Sequence, residues 1–199
     1  MRSAVLRLRP RSQRVGFFPG DTADRLRQVP GEARLEVVLS NHLLRYAVLP
    51  WSPALASGDE WMAYARHVFG NTYGADAAGW RIRICDGGRG KSRIACAADA
   101  ALLDSIAAVE RVVSIQPHLM AAFNARRGEF GKTPGWFVLH EAGRLTLGLI
   151  ADGEWKLLRN RQAPENWRDS LHDLLHRETE AGGTASCGRV VLSSGLAAA

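Results

Sequence analysis

The sequence predicts an α/β fold in two lobes, each with a mixed sheet and flanking helices, and three observations carry the prediction. From Trp136 onward, three strand-like runs separated by Ala142-Gly143 and Asp152-Gly153 lead into a helical stretch and a last strand. An upstream pair of β-rich runs, 34–39 and 43–49, followed by a helix and strands, repeats that theme. The composition, 46% apolar and 23% charged over 199 residues, is that of an ordinary globular chain large enough to bury a proper core.

Taken in order, AVLRLR (4–9) and RVGFF (14–18) read as short strands, and DTADRLRQV (21–29) as a helix opened by an Asp-Thr cap. In RLEVVLSNHLLRYAVLPW the two β-rich runs meet at Ser40-Asn41, where Asn tolerates a positive φ. A tight antiparallel hairpin is expected there. Pro50, Pro53, Ser57 and Gly58 break the pattern. Asp59 and Glu60 then suit the first turn of a helix running to Tyr73, stopped by Gly74. Its Trp61, Ala65, Val68 and Phe69 mark an apolar stripe at helical spacing.

WRIRICD (80–86) alternates apolar and Arg, as a half-buried strand does, and SRIACAA (92–98) is strand-like again. Between them lies GGRGK, and CDGGRGKS comes within one letter of a phosphate-binding loop, with Cys85 in place of the first Gly. Such a loop must run from a strand straight into a helix, whose N-terminus helps cradle the phosphates. Here it joins two strands, so Gly87 through Lys91 are expected to form an exposed hairpin tip that binds no nucleotide. A helix capped by Asp99 (99–109), a strand RVVSI (111–115) and a helix begun at Pro117 follow. The three runs WFVLHE (136–141), RLTLGLIA (144–151) and EWKLLRN (154–160) come next, then a helix over 164–180 and the strand GRVVLSS (188–194), with a tail at 195–199 expected to fray. The expected lobes are 1–110 and 111–199.

Charge and cysteines exclude more than they assert. The net charge of +6 is concentrated in residues 1–50, which carry nine Arg and four acids. Arg7 and Arg9 alternate with Leu6 and Leu8, so a wet strand face accounts for them as well as a nucleic-acid arm does, and nucleic acid is not the expected partner. Cys85, Cys96 and Cys187 form no metal or disulfide spacing and read as buried thiols. No apolar run approaches the roughly 20 residues of a membrane span, and the N-terminus lacks a signal peptide's apolar stretch, so a cytoplasmic protein without membrane insertion is expected. His172 and His176 share a helix face but lack a third ligand, so they are expected to be solvated, and no metal site is expected. His42 is a candidate functional residue in a turn. Trp51 and Trp155, near element ends, are candidate partner-contact residues.

Three antiparallel strands, then a helix crossing to a parallel strand, open a ribonuclease H-like unit, and two such units in tandem suggest an actin-like architecture. VVLSNHLLRYAVLPW, RVVSIQPHLMAAFN and FVLHEAGRLTLGLIADGEWKLLRN together resemble the actin-like domains of the PilM and GspL type, over most of residues 34–180. That resemblance implies a cytoplasmic component of type IV pilus or type II secretion assembly, associated with the inner membrane through a protein partner. In the actin-like ATPases, an acid and glycines in the first hairpin of each lobe meet phosphate and metal. The matching positions here are Glu141, Gly143 and Thr146. The match is degenerate, because bulky Arg144 and Leu145 stand where small residues would admit a phosphate, and Ser40-Asn41-His42 offers neither acid nor Gly. The resemblance therefore implies a pseudo-ATPase scaffold with no cofactor and no catalytic residue. An ATP- and magnesium-binding actin-like ATPase is the enzyme alternative, and a basic nucleic-acid-binding domain the second.

Overall fold

The computed structural model describes residues 12–85, 87–88, 90–130, 134–181 and 189–195. The expected strand 4–9 with Arg7 and Arg9, Cys187 and part of the tail lie outside the described residues. The chain alternates strands and helices: β1 (Ser12–Phe17), α1 (Ala23–Gln28), β2 (Arg34–Leu39), β3 (Arg45–Leu49), α2 (Gly58–Tyr73), β4 (Trp80–Ile84), β5 (Arg93–Asp99), α3 (Ala100–Ala107), β6 (Val112–Pro117), α4 (His118–Arg126), β7 (Gly135–Glu141), β8 (Arg144–Ala151), β9 (Glu154–Gln162), α5 (Leu171–Ala181) and β10 (Arg189–Ser194). Three sheets result, in the orders β1-β2-β6, β3-β5-β4 and β10-β7-β8-β9.

The last sheet has the expected form: β7, β8 and β9 are antiparallel and β10 pairs parallel to β7. Its turns follow the sequence chemistry, with Gly143 at φ 73° and Asp152-Gly153 at φ 55° and 71°, the left-handed pair a tight hairpin requires. Successive β7 residues face opposite ways. Trp136 and Val138 pack with Leu145, Leu147, Leu149 and Trp167 under Leu174 and Leu175 of α5. Phe137 and Leu139 instead join Val15, Phe17, Leu35, Val37, Ile106 and Leu119 in the largest core. That core runs from β1 to β10, and β6, which follows the expected 110/111 boundary, hydrogen-bonds β2 in register Val37↔Ile115. α2 lays its stripe of Trp61, Ala65 and Phe69 on Leu49, Ile82, Ala95 and Ala97 of the β3-β5-β4 sheet. Its start is a capping box of Ser57 and Glu60, and Gly74 ends it at φ 63°.

Two expectations are corrected. Residues 34–49 do not form a hairpin: β2 pairs in parallel with β1 and β6, β3 pairs antiparallel with β5, and the Asn41–Leu43 turn passes the chain from one sheet to another. The physical reason lies in β2 itself, whose Leu35, Val37, Val38 and Leu39 are buried on both faces, as a strand inside a parallel sheet must be. The helix expected over 164–180 begins at Leu171. Residues 165–170 form turns, with the Asn166 carbonyl accepting from the Asp169 and Ser170 N–H groups. Among the described residues, no helix is long and apolar enough to cross a membrane.

Candidate functional site

Among the described residues, buried polar side chains gather where the turn after β2 meets the end of β7. Ser40 and Asn41 are fully buried, and Glu141 and His118 almost so. Four elements deliver them: β2 runs into Ser40, β7 ends on Glu141, and Pro117 closes β6 so that α4 starts at His118. The Glu141 carboxylate accepts from the Asn41 backbone N–H at 2.9 Å through Oε2. Its Oε1 lies 3.1 Å from His118 Nδ1, an ion-pair distance off the line of a hydrogen bond, and neither atom has a hydrogen-bond partner.

Asn41 is the centre of the network. Its Oδ1 accepts from the Tyr46 hydroxyl at 2.6 Å and from the Leu119 N–H at 3.3 Å, while its carbonyl accepts from Asn160 Nδ2 at 2.8 Å. Asn160 reaches across from β9, also donating to the Leu44 carbonyl at 3.0 Å, and its Oδ1 accepts from Thr146 and Arg144 at 3.3 Å each. His42 bridges the two turns, its Nε2 lying 2.9 Å from the Ala142 carbonyl. Burial raises the Glu141 carboxyl, but His118, the Asn41 N–H and Ser40 together outweigh it and hold the group below its ordinary value. Burial pushes the Tyr46 hydroxyl well above its ordinary value, so it serves as a neutral donor.

The three residues singled out from the sequence are neighbours here but differ in character. Glu141 is spent on internal partners, Gly143 sits in an open hairpin turn at φ 73°, and Thr146 is fully buried with its hydroxyl on Asn160. His118, Asn41, Tyr46 and Asn160 escaped the sequence reading. Only the Pro117 helix start pointed near any of them, and turn propensity alone accounted for Asn41. Trp51 is 44% exposed, whereas the Trp155 ring packs inward, 4.7 Å centroid to centroid from Phe123 and over Gly148. The His172 and His176 side chains are exposed beside Asp173 and Glu180. Contrary to the expected burial of the cysteines, Cys85 is exposed, at the rim of the hairpin, while burial pushes the Cys96 thiol up to about 12. Further along, Lys91 donates to the Asp152 carbonyl at 3.2 Å, and Ser92 to Glu154.

No family model and no curated protein sequence matches the chain. Solved structures do. The cytoplasmic domain of EpsL, an inner membrane component of the type II secretion system of Vibrio cholerae, superposes with a TM-score of 0.59 at 10% identity, over 93% of this chain and 82% of that one. A Bacteroides thetaiotaomicron protein with an actin-like ATPase fold gives 0.58 at 9% identity, over 88% and 68%. The fold is actin-like. A weaker likeness, TM-score 0.45 at 16% identity over 79% and 52%, is to the PilM–PilN type IV pilus biogenesis complex.

Within the actin-like fold, the resemblance drawn from the sequence makes the turns after β2 and β7 the places where nucleotide phosphate and magnesium would be met. The residues present do not fit that group. Magnesium takes open carboxylate oxygens, but the one carboxylate at this junction has both oxygens turned to His118 and Asn41. Among the described residues, no group of three His, Cys, Asp or Glu side chains could hold a metal ion.

Proposed function

We propose that this chain is a cytoplasmic, non-catalytic actin-like component of a secretion or pilus type of membrane assembly machine, acting by protein–protein binding. The observation that carries the reading is the likeness to the EpsL cytoplasmic domain over 93% of this chain and 82% of that one. The buried junction supports it. Where a nucleotide-dependent protein keeps its carboxylate open to metal and phosphate, this chain uses Glu141 to tie β7 to the β2 turn and to α4. The same junction holds the sheets in one arrangement, as suits a rigid platform.

The test is a thermal-shift titration of the full chain with Mg-ATP, together with in-cell photo-crosslinking from Trp51, the exposed aromatic. The expected results are an unchanged melting temperature and a crosslink to the cytoplasmic segment of an inner-membrane protein. A ligand that binds the folded state well above its Kd adds about 3 kcal/mol, so a melting temperature raised by several degrees would overturn the non-catalytic reading.

A further inference from the structure

At the end of β8 away from the buried junction, β5, α4 and the β8–β9 turn enclose a cavity of about 470 Å³. Phe123, Phe130 and Trp155 form its apolar wall, and all three are only partly buried. The Phe123 ring lies 4.7 Å from the Trp155 ring at 60° and 5.5 Å from the Phe130 ring at 45°. Rings met at such open angles can receive a further flat ring by face or by edge. A cavity of this size, walled by aromatic side chains with a few polar groups among them, has the make-up of a small-molecule site.

The charges around it can be accounted for one by one. Among the described residues, three cations and one acid line the cavity: Lys91, Arg93, Arg127 and Glu154. Lys91 already has Glu154 at 3.5 Å and the Asp152 carbonyl at 3.2 Å. The Arg93 guanidinium lies over the Trp61 ring, 4.5 Å from its centroid. Arg127, at the end of α4, is exposed, and the acid nearest it in sequence, Glu129, is taken by Arg126 at 2.7 Å. One cation is thus left open to a ligand. A hydrogen bond from the Ser92 N–H, with Lys156 and Lys91 nearby, holds Glu154 below its ordinary value in spite of burial, so the wall keeps a negative charge of its own.

We propose that this cavity binds a small, flat apolar carboxylate, its ring system against Phe123, Phe130 and Trp155 and its one negative charge on Arg127. The charge count selects a monoanion. A polyphosphate would face Glu154 with a single open cation, and a fatty chain would leave the ring faces unused. The site goes beyond the reading of the chain as an assembly component and does not rest on it.

The probe is naphthoate, titrated into the full chain by calorimetry beside its neutral amide, naphthamide. Naphthoate is expected to bind at least about tenfold more tightly than naphthamide, to weaken as salt rises, and to lose about tenfold in R127Q but not in R14Q on β1. An R127E variant should refuse naphthoate and take the cation naphthylmethylammonium, which a collapsed cavity would not do. The proposal is overturned if naphthoate does not bind, if naphthamide binds equally, if R127Q binds as the wild type does, or if laurate binds and naphthoate does not. A Mg-ATP thermal shift that R127Q leaves intact counts against the non-catalytic reading alone, whereas one that R127Q abolishes overturns the choice of a monoanion.

Discussion

Glu141 shows what one buried carboxylate does when it is paired rather than open to solvent. Its Oε2 holds the Asn41 N–H, and its Oε1 stands against the His118 ring, so deleting the carboxylate leaves a buried donor and a buried imidazole uncompensated. Removing one partner from such a buried pair costs about 3–5 kcal/mol, and Glu141→Ala is expected to lose that much in urea unfolding. The pH dependence has a definite sign. The folded-state carboxyl is held below the ordinary 4.5, so the unfolded chain takes up the proton first. The contribution is whole above that ordinary value and disappears as pH falls through the folded one. Wild type should therefore lose stability more steeply below pH 4.5 than Glu141→Gln does, and equal slopes would remove Glu141 from the account. Of this site, Glu141 could be singled out only through the resemblance to the actin-like ATPases, as the acid that with Gly143 matches the first hairpin of a lobe. Its partners lie 23 and 100 residues away, at His118 and Asn41, and no local pattern marks a contact of that range.

At the scale of elements, what could be read from the sequence is what local chemistry dictates. Asp152-Gly153 forces the left-handed turn that makes β8 and β9 a hairpin, and Ser57 with Glu60 closes the first turn of α2 on both backbone and side chain. The cap is exposed and its loss is simple: Ser57→Ala should cost about 1 kcal/mol, read as a lowered urea midpoint with an unchanged slope. The misread element is β2. Its Val-Val-Leu run followed by Ser-Asn looks like half a hairpin, yet the pairing is decided by β1 and β6, one before it and one some 75 residues after it. A second constraint invisible to local patterning is at Gly148, mid-strand in β8. A Cβ there would fall 2.1 Å from the Trp155 ring, so the ring occupies the place of a side chain. Gly148→Ala should destabilise by at least about 1–3 kcal/mol, and Trp155→Leu in the same chain should recover part of it, a coupling measurable in a double-mutant cycle.

For the molecule as a whole, the question is whether the two expected lobes are separate folding units. The division at 110/111 falls just before β6, yet β6 is the strand that hydrogen-bonds the buried β2, and the Arg111 guanidinium donates to the Val29 and Ala33 carbonyls. The largest core takes Val15, Leu39 and Ile106 from one side of that division and Leu119, Phe137, Leu158 and Val191 from the other. The Asn41–Glu141–His118 network crosses it as well. A chain cut after residue 110 would leave β2 with one free edge and half of its apolar face in water. At about 25 cal/mol per Å² of apolar surface, exposing several such side chains exceeds the few kcal/mol a small domain holds in reserve. The expectation is that residues 1–110 show no cooperative transition, while the full chain unfolds in one. Single-Trp variants test this directly, since Trp61 reports the cluster on the β3-β5-β4 sheet and Trp136 the cluster beneath α5. Coincident urea transitions at the two positions are expected. Two separated midpoints would mean that the sheets fold independently and that the buried network only docks finished lobes.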